Sequence, residues 1–258
     1  MNQDKFAQLL RMTEEALLRS LGFLDERNKD EKEILRYAIG SGGKRIRPLI
    51  ALSSAIACGA KPEDAAWPAA AIELLHNYTL IHDDLPSMDN DVERRGKPTV
   101  WKKYDEAKAI LAGDLLQALA FKAALATPVN STKVACALAS AAAGVVAGQF
   151  ADIAKSPDYL YMYAHKTGDL FVAAAQMGAL AADADDEALR NVTDFAMNLG
   201  LAFQFEDDLL DFDGAASREE TERLAKECTA RALDALGNMN GDTSLLEDIA
   251  KMLLGRTK

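Results

Sequence analysis

The sequence predicts an all-α protein that folds as a single domain over residues 1–258. Apolar residues recur at helical spacing through most of the chain, whereas alternating β-branched residues and Asn-Gly hairpin signals are nearly absent. No linker and no internal repeat divides the sequence. With 258 residues, of which 49% are hydrophobic, the chain can bury a large core, which indicates a globular rather than a disordered protein.

The individual helices follow from apolar periodicity and from boundary residues. The first is an amphipathic segment from residue 6 to residue 18, and the second, residues 31–39, ends at the glycine cluster 40–43. The alanine-rich stretch 135–147 allows helices to approach closely, which is typical of a bundle interior. The remaining helices are predicted at residues 48–58, 65–84, 107–126, 133–154, 157–165, 168–182, 187–211, 217–236 and 245–254.

Charge and cysteine usage exclude one class of partner and indicate a compartment. The net charge of −11 argues against nucleic acid, because no basic stripe is available to follow a phosphate backbone. Cys58, Cys136 and Cys228 are isolated and lack metal-ligand spacing, so we interpret them as thiols in a reducing compartment. The N-terminus lacks a signal-peptide core, and the apolar run 135–146 is too short for a bilayer. We therefore expect a cytoplasmic protein without a membrane anchor.

Two aspartate clusters follow apolar helical stretches. The first contains Asp83, Asp84 and Asp89, and the second contains Asp207, Asp208 and Asp211. Crowded carboxylates repel one another, so a positive group normally compensates them. Oxygen ligands of this kind suit Mg²⁺, which is often shared with substrate phosphates. Two such clusters facing each other would form a cage for a diphosphate.

The spacing within each cluster predicts a different local geometry. Asp207 and Asp211 are four residues apart and lie on one face of a helix. Asp83 and Asp89 are six apart and would not align on an unbroken helix, but Pro86 interrupts it and lets Asp89 turn back toward Asp83. Capping aspartates at a solvated helix end, or an exposed turn, remain the alternative interpretation for either cluster taken alone.

Three groups of cations accompany the acidic clusters. Residues 42–48 place flexible glycines and three cations before Pro48, an arrangement that binds anions. Arg94 and Arg95 follow the first acidic cluster, and Lys166 is followed by a hydroxyl residue. Each group alone is more often solvated surface charge. Together they suggest two anionic substrates, one held through metal and one held directly.

These segments resemble the short-chain trans-isoprenyl diphosphate synthases of the bacterial farnesyl/geranylgeranyl type. The resemblance implies an isoprenoid synthase helical bundle around a central active-site cavity. It also implies Mg²⁺-dependent transfer of an allylic group, from dimethylallyl or geranyl diphosphate, to isopentenyl diphosphate. The resemblance lies in GGKRIRP at 42–48, IHDDLPSMDND at 81–91, RRGKPT at 94–99, LAGD at 111–114, HKTG at 165–168 and FQFEDDLLD at 203–211.

The resemblance also assigns roles to individual residues. Asp83 and Asp89 would hold two Mg²⁺ ions, supported by Asp84, and Asp207 would hold a third, with Asp208 and Asp211 nearby. The metals would neutralise the departing diphosphate, so that an allylic cation forms and the isopentenyl double bond attacks it. The allylic diphosphate would be bound by Arg94, Lys166, Thr167 and Gln204, and isopentenyl diphosphate by Lys44, Arg47, His76 and Arg95. Family members are commonly homodimers, and we expect a homodimer here.

Product length in this family depends on bulk just before the first acidic motif. Tyr78 lies five residues before Asp83, with Thr79 beside it. An aromatic residue at this place resembles farnesyl-type enzymes, because the ring would close the pocket. We therefore expect a C15 product, with a C20 geranylgeranyl product as the alternative.

The sequence departs from the family pattern after Asp211 and before Lys166. The Gly-Lys-rich loop expected after Asp211 is absent, and the segment from Asp152 to Lys166 is short. Either the loops are deleted, which would give a weak enzyme or a regulatory subunit, or mobile residues are absent from the sequence as written. We favour the second explanation, because lids over phosphate sites are typically mobile.

Three other classes of protein fit the sequence less well than a two-substrate prenyltransferase. A non-catalytic subunit would be expected to lose aspartates from one motif, and both are intact. A class I terpene cyclase would lack the metal-free site that Lys44, Arg47 and Arg95 suggest. A purely structural bundle leaves both aspartate clusters unexplained.

Overall fold

The computed structural model describes residues 3–211 and 216–254, and in this part of the chain the fold is all-α apart from one short hairpin. The strands of the hairpin are β1, Glu93–Arg94, and β2, Lys97–Pro98, which pair antiparallel. The helices are α1 Gln3–Ser20, α2 Lys29–Ile39, α3 Ile46–Ala57, α4 Ala66–Asp83, α5 Val100–Lys103, α6 Glu106–Leu125, α7 Ser131–Ile153, α8 Tyr159–Tyr163, α9 Asp169–Ala181, α10 Asp186–Asp211, α11 Arg218–Gly237 and α12 Ser244–Leu254.

Helices α4 and α9 form the centre of the bundle. Helix α4 packs against α6, α3 and α1, and α9 packs against α3, α10 and α7. Both central helices are apolar on nearly all sides, which is the composition of a helix surrounded by others. Helices α10 and α11 pack together at the other end of the chain and enclose a smaller core around Phe205. The functional residues of α4 and α10 therefore sit on well-packed elements.

Three local features differ from the sequence-based prediction. Helix α3 begins at Ile46, two residues before the predicted start, so that Pro48 lies in the first turn, where its missing N–H costs nothing. The hairpin was not predicted, because its turn uses Arg95 and Gly96, with φ of 55° and 75°, in place of Asn-Gly. The predicted helix 157–165 is the short α8 followed by a π-helical turn, Ala164–Gly168.

Helix α7 is longer than the apolar run that the sequence suggested. Of the described helices it alone is long and apolar enough to cross a membrane by length and composition, with a mean hydropathy of 1.7. The expectation that this region is too short for a bilayer is therefore wrong, because the helix continues on both sides of residues 135–146 for a total of 23 residues. In the fold, α7 packs against α9 and α6.

Candidate active site

A cavity of about 500 Å³ lies among α3, α4, α7 and α9. Much of its wall is apolar, including Leu80, Met88, Val145 and Leu170. Helix α4 supplies one side, because His76, Tyr78 and Asp83 all open onto the same space. Of the residues predicted to be functional, the cavity is lined by Arg47, His76, Tyr78, Thr79, Asp83, Lys166 and Thr167.

The first aspartate motif turns back on itself as its spacing predicts. Helix α4 ends at Asp83, three residues before Pro86, and the backbone N–H of Asp89 donates to the carbonyl of Asp83 at 2.9 Å. Burial raises the pKa of Asp83 to about 6, opposed by Lys166 and reinforced by Asp89. The turn therefore brings Asp89 close to Asp83, whose carboxylate lines the cavity.

Asp84 and Arg94 form an ion pair across this turn. Arg94 Nε lies 2.6 Å from Asp84 Oδ1, and Arg94 Nη2 lies 3.1 Å from Asp91 Oδ2. Asp84 is buried, and burial raises its pKa although the arginine opposes this. Arg94, predicted to bind the allylic diphosphate, is thus held on the acidic motif and is not part of the cavity wall.

The second aspartate motif is connected to the cavity by a chain of hydrogen bonds. Thr167 Oγ1 donates to Gln204 Oε1 at 3.1 Å, and Gln204 Nε2 lies 3.3 Å from Asp208 Oδ1. The Tyr163 hydroxyl donates to Asp208 Oδ2 at 2.7 Å. Asp207 is half-buried on the same helix, whereas the side chain of Asp211 and residues 212–215, where the sequence departs from the family pattern, lie outside the described part.

Lys166 and Thr167 sit on the π-helical turn between α8 and α9. π-Helical turns are rare in proteins, and those that occur are often found at functional sites. The Lys166 ammonium is hydrogen-bonded to the carboxylate of Asp152 at the end of α7. Gly148 of α7 packs directly on this turn, since a Cβ there would lie only 2.3 Å from the backbone nitrogen of Lys166. The close approach of α7 fixes where Lys166 meets the cavity.

Arg47 and His76 form a second polar pocket in the same cavity. Arg47 Nη1 lies 3.3 Å from His76 Nε2. Burial lowers the pKa of His76 well below its usual range, with Arg47 adding to the effect, so the imidazole is neutral. Burial also lowers the pKa of Arg47 to about 10, which leaves the guanidinium charged at neutral pH. Within the described residues, buried Arg47 Nε and His76 Nδ1 have no hydrogen-bond partner.

Arg95 lies close to this pocket from an exposed position, since its charge acts on both Arg47 and His76, and Lys44 is exposed in the glycine loop before α3. The guanidinium of Arg95 donates to the carbonyl of Gly42 and lies against Gly43. Gly43 has a φ of +125°, a conformation that residues with a side chain rarely adopt, which explains the glycine at this point. The turn of the hairpin and the glycine loop before α3 thus meet, and this contact holds the Arg95 guanidinium near Arg47.

Arg45 and Glu73 were not predicted as functional, yet they anchor this pocket. Arg45 is buried in a left-handed conformation just before α3. Its Nη1 lies 2.8 Å from Glu73 Oε1, and its Nε lies 2.7 Å from Glu14 Oε1. An acid within the apolar stretch of α4 was a signal available in the sequence, but its partner 28 residues away was not. Tyr163 and Asp152 were missed for the same reason.

The aspartates provide suitable donors for Mg²⁺ without forming a closed metal site. Within residues 3–211 and 216–254, no three Asp, Glu, His or Cys side chains converge as a metal-ligating group. Asp89 is nevertheless close enough to Asp83 to oppose the ionisation of the Asp83 carboxyl. Hard carboxylate oxygens with excess negative charge fit Mg²⁺, which keeps several waters and is usually completed by substrate phosphate.

Comparisons with known proteins identify the family. The sequence profile described as polyprenyl synthetase matches residues 29–252. The chain belongs to this family. A farnesyl diphosphate synthase from Geobacillus stearothermophilus is 43% identical over 203 residues, covering 72% of the chain and 68% of the relative. A solved FPP/GFPP synthase from Zymomonas mobilis superposes with a TM-score of 0.89 at 32% identity and covers 98% of both chains.

Membership of the polyprenyl synthetase family confirms the predicted all-α synthase fold and the predicted enzyme class. The protein is a prenyltransferase of the short-chain prenyl diphosphate synthase type. Its relatives include both farnesyl and geranylgeranyl diphosphate synthases. The alignment with the farnesyl diphosphate synthase of Escherichia coli, 34% identical, covers 96% of the chain and 97% of the relative. It spans 291 positions for a chain of 258 residues, so at least 33 positions (291 minus 258) are gaps in this chain.

Proposed function

We propose that this prenyltransferase condenses isopentenyl diphosphate with dimethylallyl or geranyl diphosphate in a Mg²⁺-dependent reaction and releases mainly farnesyl diphosphate. The observation that carries the proposal is a single cavity with three chemically different parts. The first part is the carboxylate of Asp83, and the second is the pair of unpaired nitrogens, Arg47 Nε and His76 Nδ1. The third part is an apolar wall that includes the ring of Tyr78.

The pocket of Arg47 and His76 suits the diphosphate of isopentenyl diphosphate. A guanidinium whose buried Nε–H is unpaired gains strongly from a phosphate oxygen, because charge-assisted hydrogen bonds are the strong ones. His76 is neutral, so it adds a hydrogen bond without adding to the repulsion between the arginines. Arg95 supplies further charge beside this pair, and Lys44 would add to it once the substrate is bound. Carboxylate ligands for a bound metal are not among these residues, so this diphosphate would be held directly.

The aspartate side suits the allylic diphosphate. Asp83, Asp89 and Asp207 would hold Mg²⁺, which when bound would neutralise the diphosphate that leaves. Lys166 and Thr167 face the same cavity and would bind the phosphate oxygens. Gln204 orients Thr167, and Asp208 is kept in place by Tyr163. The apolar side chains of the cavity exclude water from the reacting carbon, which prevents hydrolysis of the reactive species.

Tyr78 supports the C15 product. Its side chain is 7% exposed and lines the cavity, one and a half turns before Asp83. Five residues of helix correspond to about 7.5 Å between the two positions along the axis, so the ring limits how far a tail can extend from the aspartates. Tyr78→Ala is expected to lengthen the product to C20 or beyond, whereas Tyr78→Phe keeps it. An unchanged C15 product in Tyr78→Ala would contradict this role.

A homodimer is part of the proposal. On helix α6, Ile110, Leu111 and Leu125 are 45%, 65% and 57% exposed. Burying these apolar side chains between two copies of the chain would stabilise a dimer. Light scattering of the purified protein is expected to give twice the mass of 27.9 kDa. Leu111→Glu is expected to shift the mass toward the monomer, and Ala230→Glu, an exposed substitution on α11, serves as the control for added charge.

The test of the reaction is a product assay with the full chain. Isopentenyl diphosphate is supplied with dimethylallyl or geranyl diphosphate, in Mg²⁺ or in EDTA, and products are sized by mass spectrometry. We expect a C15 diphosphate that requires Mg²⁺. A regulatory subunit is the second candidate, favoured by the gaps against the Escherichia coli relative. The absence of any product from folded protein would contradict the enzyme and support the subunit.

A further inference from the structure

Gly113 lies in the LAGD segment of α6, to which no role has been assigned above. The ring of His82 occupies the space where a side chain of residue 113 would be. A Cβ at Gly113 would lie 2.2 Å from His82 Nε2 and 2.5 Å from His82 Cδ2, distances that real Cβ atoms do not show. Gly113 therefore forms a recess in α6, and the imidazole fills it.

His82 is held in this recess by two further contacts. Its Nε2 lies 3.0 Å from the carbonyl oxygen of Ile110, which can only accept, so Nε2 carries the proton. Its ring meets Tyr78 edge to face, with centroids 5.6 Å apart and planes at 90°. Tyr78 and His82 are one turn apart on α4, and both line the cavity. The position of the Tyr78 ring therefore depends on where His82 lies.

Helix α6 also reaches Tyr78 through Gln117. The side chain of Gln117 lies close enough to affect the Tyr78 hydroxyl, whose pKa is raised by burial and by Asp83. Gly113 and Gln117 are four residues apart and share the face of α6 that packs on α4. One face of α6 thus receives both rings that α4 presents to the cavity.

We propose that Gly113 is a specificity-determining position for product length, acting through His82 on Tyr78. An added methyl group would drive the imidazole away from α6. Because His82 also lines the cavity, the displaced ring narrows the passage for the growing tail and favours an earlier release. Removal of the ring has the opposite effect, since it opens space beside Tyr78. The inference rests on the proposed function, because it concerns the length of its product.

The experiment compares Gly113→Ala, His82→Ala and the double variant with dimethylallyl diphosphate as primer. Gly113→Ala is expected to raise the ratio of C10 to C15 product about tenfold, the lower end of what one methyl group changes in an apolar pocket. His82→Ala is expected to shift products toward C20. In the double variant the methyl has no ring to displace, so the products should match those of His82→Ala.

Gly22→Ala is the matched control, because a Cβ at Gly22 meets nothing within 4 Å, and its products should equal those of the unsubstituted chain. Unchanged products in folded Gly113→Ala, or a C10 shift that persists without His82, would overturn the inference. Should Gly113→Ala fail to fold, His82→Ala still tests it, since it must give longer products and unchanged lengths would contradict it. Loss of the proposed function is a distinct result, because the unsubstituted chain would then make no prenyl diphosphate.

Discussion

The two sides of the cavity differ in whether their cationic side chains are already paired with carboxylates. On the aspartate side, Lys166 is paired with Asp152, and Arg94 is paired with Asp84. On the other side, Arg47 Nε and His76 Nδ1 are buried and have no hydrogen-bond partner among the described residues. One half is therefore a preformed anion pocket, whereas the other has its positive charge already engaged. A diphosphate can enter the first directly, but the second needs an added cation.

Removal of one aspartate should have the largest effect on this comparison. Asp83→Asn keeps the size of the side chain and removes the charge that would hold Mg²⁺. We expect kcat to fall about 10³-fold, as for loss of a main electrostatic group in other active sites. Steady-state kinetics at saturating Mg²⁺ measure this. Asp30→Asn, an exposed change on α2, should have no effect, and near-normal kcat in Asp83→Asn would contradict the assignment.

The next prediction concerns Glu73, the buried carboxylate that is paired with Arg45. Glu73→Gln removes the partner of Arg45 and leaves a buried guanidinium with reduced compensation. Breaking such a pair costs about 3–5 kcal/mol, so the free energy of unfolding should fall by about that amount. Urea denaturation measures it, with exposed Glu63→Gln as the control. A loss below about 1 kcal/mol, the range of exposed ion pairs, would show that Glu73 does not anchor the pocket.

A substitution of Arg47 should distinguish the two sides of the cavity through the KM values of the two substrates. Arg47→Gln should raise KM for isopentenyl diphosphate about 100-fold, because a buried charged partner of a phosphate is lost. The KM for the allylic diphosphate should change little, since that substrate is assigned to the other side. The control is Arg36→Gln, an exposed arginine on α2. An equal rise in both KM values would mean that the two diphosphates share one pocket.

Tyr163 should give the smallest effect. Tyr163→Phe removes the hydrogen bond to Asp208 and leaves the ring packing against Phe205. The bond contributes about 1 kcal/mol, so the concentration of Mg²⁺ needed for half-maximal activity should rise about fivefold. Tyr161→Phe removes an exposed hydroxyl on the same short helix and serves as the control. An unchanged Mg²⁺ requirement would show that Tyr163 does not support the second motif.

Local sequence rules predicted the aspartate side better than the anion pocket. The helix containing the second motif was placed within one residue of α10, and the turn at Pro86 was predicted from one proline and a six-residue spacing. These features depend on neighbours along the chain. The pairing of Arg45 with Glu73 joins residues 28 apart, and no local pattern indicates it. The hairpin was missed because Arg95-Gly96 is an uncommon form of its turn.

The functional roles also divide into those that the sequence resemblance implies and those that only the three-dimensional structure indicates. The resemblance assigned Arg94 to the allylic substrate, but a resemblance carries no information about which carboxylate holds an arginine before substrate binds. The single-domain boundaries and the roles of individual site residues stay predictions. The role of Gly113 needed three dimensions, because the recess exists only where α6 meets the imidazole of His82.

Calorimetric titration of the full chain tests the difference between the two sides most directly. Isopentenyl diphosphate and dimethylallyl diphosphate are titrated separately, so that no condensation occurs. Each titration is made once in Mg²⁺ and once in EDTA. We predict that isopentenyl diphosphate binds with about the same affinity in both buffers, whereas dimethylallyl diphosphate binds measurably only with Mg²⁺. Loss of isopentenyl diphosphate binding in EDTA, or binding of dimethylallyl diphosphate without metal, would contradict the account.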